Sequence, residues 1–254
     1  MASADLSYLV CATPRSGSTL LCETLIQTGV AGVPREYFEA LPRTGLPRQP
    51  REYLPDLDDP EVDRLLPPVR RGPALPPFAE RLAAALRAGT TPNGVFGVKV
   101  MWGYVEPLLE ATGGALERAL PGLRYVLVAR EDKLRQAISL WRALQTQVWN
   151  SADAEPASDN RRAPAYSRAA IDTLQARLAD DEAAWRRWFA ARGVRPLELV
   201  YEEFADRPGD AAAQVLDHLG IRRPAGLAVR APIQRQSDAL TEEWVRRHEG
   251  QRAA

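Results

Sequence analysis

Nine consecutive residues near the start of the chain, Thr13-Pro-Arg-Ser-Gly-Ser-Thr-Leu-Leu, gather the groups that could hold an anion. Ser16, Ser18 and Thr19 bring hydroxyls, and Arg15 brings a permanent planar charge. Gly17 lets the backbone approach a ligand closely. Before them, Tyr8 to Ala12 is an apolar run of strand length; after them, Thr19-Leu-Leu-Cys-Glu-Thr-Leu-Ile carries apolar residues at helical spacing. In a strand–turn–helix unit the first helical N–H groups lack intrahelical partners and the peptide dipoles leave partial positive charge beside the turn. The chemistry implied is binding of a phosphorylated or sulfated ligand.

The residues argue against a P-loop of the ATPase and GTPase kind. That loop needs Gly, four residues, then Gly-Lys-Ser/Thr, with the hydroxyl on a magnesium ion. Here the first Gly is missing and Ser18, not Lys, follows Gly17. Two later strand-like runs, Val95–Val100 and Arg124–Ala129, carry Lys99 and lead to Arg130, and neither ends on a metal-binding Asp. The loop reads as an anion site with no metal.

These residues strongly resemble the 5′-phosphosulfate loop of sulfotransferases that use 3′-phosphoadenosine 5′-phosphosulfate (PAPS). The resemblance extends to Tyr125-Val-Leu-Val-Ala-Arg130 followed by a helix with Ser139, and to Leu197-Glu-Leu-Val-Tyr201 near the end. It is closest to the bacterial trehalose 2-sulfotransferase family. There it runs through Gly29–Phe38, the stretch around Pro50-Arg-Glu, Thr91–Trp102, Trp141–Trp149, Arg235-Gln-Ser-Asp and Glu243-Trp244. It implies PAPS as donor, no metal, a carbohydrate or glycolipid acceptor, and a homodimer.

The resemblance also assigns roles. Arg15, Ser16, Gly17, Ser18 and Thr19 would stabilise charge on the leaving phosphate. Arg130 and Ser139 would hold the 3′-phosphate, with Arg235 reinforcing them, and Tyr201 would lie near the adenine. Glu36, just past the first helix, takes the position of the general base, the plainer alternative being a surface carboxylate paired with Arg35. Glu23 and Glu39 are close enough in sequence to act as decoys. Lys99 at a strand end faces the ligand crevice of an open α/β sheet; contact with the sulfonate or acceptor and a buried ion pair are both open to it. Trp102 and Trp149 could stack on a sugar ring or pack in the core.

Elements that alternate strand and helix must position these groups. A helix is expected from Pro77 to Arg87 ending at Gly89, a strand over Val95–Val100, a helix from Glu106 to Ala119 and a strand over Arg124–Ala129. A helix carrying Ser139 and Trp141 follows, then a polar loop at 151–164 and a long helix from Tyr166 to Arg192 with an aromatic stripe suited to the core. Strand Leu197–Tyr201 and helix Asp210–Leu219 complete the pattern. This is an α/β fold, a parallel central sheet flanked by helices.

The 254 residues fit one sulfotransferase domain over 1–254. Ten of the 21 prolines fall in residues 40–78, which reads as a loop insertion pinned by Tyr53, Leu54, Leu57, Leu65, Leu66 and Phe78 and shaping the substrate site. The 33 basic and 33 acidic residues balance, so no global field attracts nucleic acid or an anionic membrane. No run is apolar enough for a membrane span, and the early anion loop leaves no room for a signal segment; the expected location is cytoplasmic. Cys11 and Cys22 read as small buried hydrophobes, and His218 and His248 as structural or exposed. A nucleotide kinase or NTPase-like protein and a non-catalytic binder of 3′-phosphoadenosine 5′-phosphate (PAP) are the rival readings.

Overall fold

The computed structural model describes residues 4–113, 116–120, 122–149, 163–224 and 239–251. The chain opens with strand β1 (Leu6–Ala12) and helix α1 (Ser18–Gln27), then reaches α2 (Pro60–Leu65) and α3 (Phe78–Gly89). Next come β2 (Val95–Met101), α4 (Val105–Ala111), α5 (Leu116–Ala119), β3 (Arg124–Ala129) and α6 (Lys133–Thr146). The long α7 (Arg168–Ala191), β4 (Leu197–Val200), α8 (Tyr201–Phe204), α9 (Pro208–Leu219) and α10 (Ala239–Gly250) complete it.

Among the described residues the strands form one parallel sheet in the order β2-β1-β3-β4. The chain leaves β1 toward one neighbour, β2, and later returns on its other side as β3. The crevice at the carboxyl ends therefore opens over β1, where α/β sheets bind ligands. The strands are nearly continuous apolar runs because both faces are covered. One face packs Leu9, Cys11, Phe96, Val98, Val100 and Leu127 against Trp185, Trp188 and Phe189 of α7. The other packs Tyr8, Val10, Ala12, Val126 and Val128 against α1 and α9. Both cysteines are buried, and burial pushes the Cys22 thiol up to about 12.

The aromatic stripe of α7 is core: Trp185 and Phe189 stack at 5.6 Å, and Trp188 meets both edge-on. A third cluster joins α6, α7 and α10 to the proline-rich segment through Tyr53, Leu54 and Val62. That segment is ordered by a 3₁₀ turn, Pro50–Tyr53, and by α2, whose N-cap Asp59 accepts from the amides of Glu61 and Val62. Proline at the first helical position loses no hydrogen bond, which is how a helix starts at Pro60 where the sequence suggested only loops and turns.

Several boundaries differ from the sequence expectation, among them the start of α7 at Arg168 rather than Tyr166 and of α9 at Pro208 rather than Asp210. The helix expected over Glu106–Ala119 is two, α4 and α5, because Thr112 and Gly113 fold back onto the carbonyls of α4 and Gly113 takes a left-handed φ of 61°. The strand expected to reach Tyr201 stops at Val200, and Tyr201 begins α8. His248 is fully buried, its ring at 3.0 Å from an Asp172 carboxylate oxygen and 3.2 Å from the Tyr166 hydroxyl. No described helix is long and apolar enough to cross a membrane.

Candidate active site

The β1–α1 turn is held in place from below by three remote residues. The Trp185 indole donates to the Ala12 carbonyl at 2.9 Å. The buried amide of Gln136 donates to the Thr13 hydroxyl at 2.9 Å and to the Pro14 carbonyl at 2.8 Å. Arg130 donates to the Arg15 carbonyl at 2.9 Å. Thus anchored, the turn uses two left-handed residues, Arg15 at φ 62° and Gly17 at φ 88°. A Cβ on Gly17 would lie 2.1 Å from the Tyr201 ring, so only glycine admits that aromatic face against the turn.

Gly17 is also the N-cap of α1 and supplies no side-chain acceptor, which leaves the first-turn amides available to a ligand. The Ser16 hydroxyl is buried with no hydrogen-bond partner among the described residues. Arg15 directs Nε to the Ser139 hydroxyl at 2.9 Å and another nitrogen to the Trp149 carbonyl. Loop, Ser139 and Trp149 thus meet at one point, drawn from β1–α1, from the middle of α6 and from just beyond its end.

Arg130 lies at the end of β3, with its guanidinium 4.7 Å from the Tyr201 ring centroid. Two carboxylates fix its turn. Glu182 of α7 accepts from the Arg130 amide at 3.2 Å and from Lys133 at 2.8 Å, and Glu202 of α8 accepts from the amides of Glu131 and Asp132. Asp132 caps α6 through the Arg135 amide. Burial would raise the Glu182 carboxyl, but the hydrogen bonds from Lys133 and Arg186 hold it below its ordinary value. Burial lowers Arg130, partly offset by Tyr201 and Glu202.

Glu36 is positioned by an additional backbone pairing on the free edge of β2. Arg35 bridges to Val98 in parallel, and the Lys99 amide donates to the Arg35 carbonyl at 2.9 Å. Alternation along β2 sends Lys99 to the α1 side of the sheet, where its ammonium reaches Thr19 Oγ1 at 3.0 Å and Glu36 Oε1 at 2.8 Å. One buried cation therefore bridges the anion loop to Glu36. Arg35 pairs instead with Glu23.

Burial would raise the Glu36 carboxyl, but the Lys99 ammonium and a hydrogen bond from Glu39 more than offset it and hold Glu36 below its ordinary value. Burial would likewise lower Lys99, and the Glu36 charge keeps it above. Glu39 goes the other way: burial first, then its hydrogen bond to Glu36 and that group's charge, push it up to about 9. Glu39 is thus protonated near neutrality and donates to Glu36.

A single cavity of about 770 Å³ opens over these residues, within the range that holds nucleotide-sized ligands. Arg15, Gly17, Ser18, Thr19, Glu36, Lys99, Arg130, Ser139, Trp149 and Tyr201 all line it, while Ser16 lies buried beside them. Trp102 is not brought there: it packs edge-on against Trp185 at 5.2 Å in the core beneath the sheet. Arg235 lies outside the described residues. The cavity also takes in Glu39, Arg48, Tyr53 and Tyr104, which the sequence did not single out for the site. Glu39 carried the one usable signal, its closeness to Glu36; Gln136, Glu182 and Glu202 act across more than fifty residues of chain and leave no local pattern.

Comparison with known proteins accords with this geometry. A trehalose 2-sulfotransferase of Mycobacterium tuberculosis is 37% identical over 98% of this chain and 96% of its own. A trehalose 2-sulfotransferase of Mycolicibacterium smegmatis is 36% identical over the same shares. A sulfotransferase structure from Alicyclobacillus acidocaldarius aligns with a TM-score of 0.46 and 13% identity, covering 99% of this chain and 96% of its own. The family model described as Stf0 sulphotransferase matches residues 7–251. With relatives this similar along nearly its whole length, the chain belongs to the Stf0 sulphotransferase family and is a sulfotransferase.

Proposed function

We infer that this sulfotransferase moves the sulfuryl group of PAPS to a hydroxyl of trehalose or a related glycoside. The observation that carries the reading is the Lys99 bridge, one ammonium joining Thr19 of the anion loop to the Glu36 carboxylate. It sets a base beside the loop that would hold the donor. The uncapped amides of α1, the Ser16 hydroxyl without a partner among the described residues and the largely buried Arg130 fit a nucleotide with a 5′-phosphosulfate and a 3′-phosphate. The donor, when bound, supplies an activated sulfuryl group and a phosphate leaving group.

The residues divide the work. Arg15, Ser18, Thr19 and the first amides of α1 stabilise negative charge that builds on the leaving phosphate oxygen, as fixed donors do in other group transfers. Arg130 grips the 3′-phosphate, and Tyr201 offers a face to the adenine. Ser139 serves as a brace: it accepts from Arg15 and so couples the α6 side of the site to the loop. Glu36, kept ionised by Lys99, accepts the proton of the attacking hydroxyl. Trp149, on the cavity wall, offers an aromatic face to the acceptor ring. The two trehalose 2-sulfotransferase relatives support the choice of acceptor. We place the reaction in the cytoplasm, where PAPS is made.

Calorimetry with PAP and with ADP, both in EDTA, tests the donor assignment. PAP is expected to bind at least tenfold tighter, and Arg130→Ala to abolish the difference. Equal affinities, or binding that needs magnesium, would overturn it.

A further inference from the structure

The proline-rich segment brings to the cavity wall a side chain that the transfer chemistry does not use, Arg48. Its guanidinium lies over the rings of Tyr53 and Tyr104, 5.3 and 6.0 Å from their centroids. The Arg48 amide donates to the Tyr104 hydroxyl at 2.8 Å, which fixes the segment against the end of β2. Gly103 makes room for the group: a Cβ there would stand 2.2 Å from an Arg48 terminal nitrogen.

A guanidinium carries five N–H donors in one plane. Here one terminal nitrogen makes a long contact, 3.4 Å to the Gly103 carbonyl. The Nε is buried with no hydrogen-bond partner among the described residues. Most of the fork is therefore unspent, and the two rings already hold its plane, so engaging a ligand orders little that is not ordered beforehand. The same two tyrosines lie in the fields of Glu36 and Glu39 as well as of Arg48, and all five residues line the cavity. A group that only donates and an ionised carboxylate that only accepts thus face one stretch of cavity. A sugar hydroxyl, which both accepts and donates, answers the two together. A carboxylate or phosphate has no proton for Glu36 and would be repelled by it.

We propose that Arg48 orients the acceptor: its fork donates to two neighbouring hydroxyls of a neutral glycoside and thereby sets which other hydroxyl reaches Glu36. This rests on the reading that the cavity takes a glycoside acceptor, and it deepens that reading by assigning the side chain that chooses among the hydroxyls.

The test is calorimetry on PAP-saturated protein with trehalose and a set of analogues, each lacking one hydroxyl position from both rings of this symmetric sugar. Loss of either gripped hydroxyl is expected to weaken binding to wild type at least tenfold, because it leaves a buried donor unpaired. Arg48→Met has no fork to leave unpaired and should bind those analogues and trehalose within a few-fold of each other, with PAP affinity kept. Gly103→Ala displaces the fork without removing it and should shrink the same penalties, so it reports even where Arg48→Met disturbs the segment. Analogues that all bind wild type as tightly as trehalose, or penalties unchanged in both variants, would overturn the role of Arg48 alone. Failure of trehalose itself to bind wild type would overturn the acceptor reading, and this role with it.

Discussion

Glu36, Glu39 and Lys99 form a charge set that dictates a pH profile. Glu36 lies below the ordinary carboxylate value and stays ionised well into mild acid, so turnover is expected to fail only when the pH drops beneath that range. Glu39 holds its proton until about 9. Above that pH a second carboxylate charge appears beside a site built for an anionic donor, and kcat/KM should fall. Glu39→Gln keeps a hydrogen-bond donor to Glu36 and removes the titration, so its profile should stay flat through pH 9; a high-pH limb unchanged in this variant would refute the assignment. Stability follows the same sign. The unfolded chain loses the Glu39 proton near 4.3 while the folded one keeps it to about 9, so wild-type stability falls as pH rises across that window. Thermal melts should show a shallower fall for Glu39→Gln. Lys99→Met removes the bridge and leaves Glu36 buried without its cation, and the acid limb of the kcat profile should move upward by a unit or more. Of this charge set the sequence made Glu36 and Lys99 visible, because strand ends and the resemblance pointed there. It hid the role of Glu39, since a raised carboxyl depends on burial and on which neighbour is already charged.

The β1–α1 turn is the element on which the site depends, and glycine at position 17 is its most constrained feature. Gly17→Ala would strain a left-handed backbone and drive a methyl group into the Tyr201 ring. PAP affinity is expected to fall by at least tenfold while the fold survives; unchanged affinity would mean that the turn does not hold the nucleotide. In β2, Gly97 leaves space for the Tyr8 ring, whose hydroxyl donates to the Ala31 carbonyl at 2.7 Å. Gly97→Ala puts a Cβ 2.7 Å from that hydroxyl and should cost about 1–3 kcal/mol, read as a lower Tm. The strand–turn–helix order was legible because apolar runs, small residues and helical spacing are local. The break at Gly113 was not, since a glycine pair is tolerated in a helix until tertiary packing decides otherwise. Trp102 stayed undecided for a similar reason: a tryptophan just past a strand end is compatible with a sugar platform and with the core, and its contact with Trp185 comes from α7, more than eighty residues away.

At the scale of the molecule, two of the three apolar clusters share α7, which touches the core beneath β1, the turn after β3 and the proline-rich segment. We propose that residues 1–254 behave as one cooperative domain with the 40–78 insertion folded into it. A single unfolding transition is expected, raised by PAP as for any ligand that binds only the folded form; two transitions, only one of which responds, would divide it. The alternation of elements, the balance of charge and the apolar residues that pin the insertion could be read from the chain, whereas the helices that Tyr53 and Leu54 dock against could not, because those partners are distant in sequence. The central claim is that loop and base belong to one sulfuryl-transfer site joined by Lys99. Its most direct test is transfer of labelled sulfate from PAPS to a panel of neutral and anionic glycosides by wild type and Glu36→Gln, with PAP affinity measured on both. Wild type should yield a sulfated sugar, and the variant should lose about 10²- to 10⁴-fold in kcat while binding PAP within a few-fold of wild type. A variant that turns over normally, or that loses PAP binding in step with its rate, would contradict the claim.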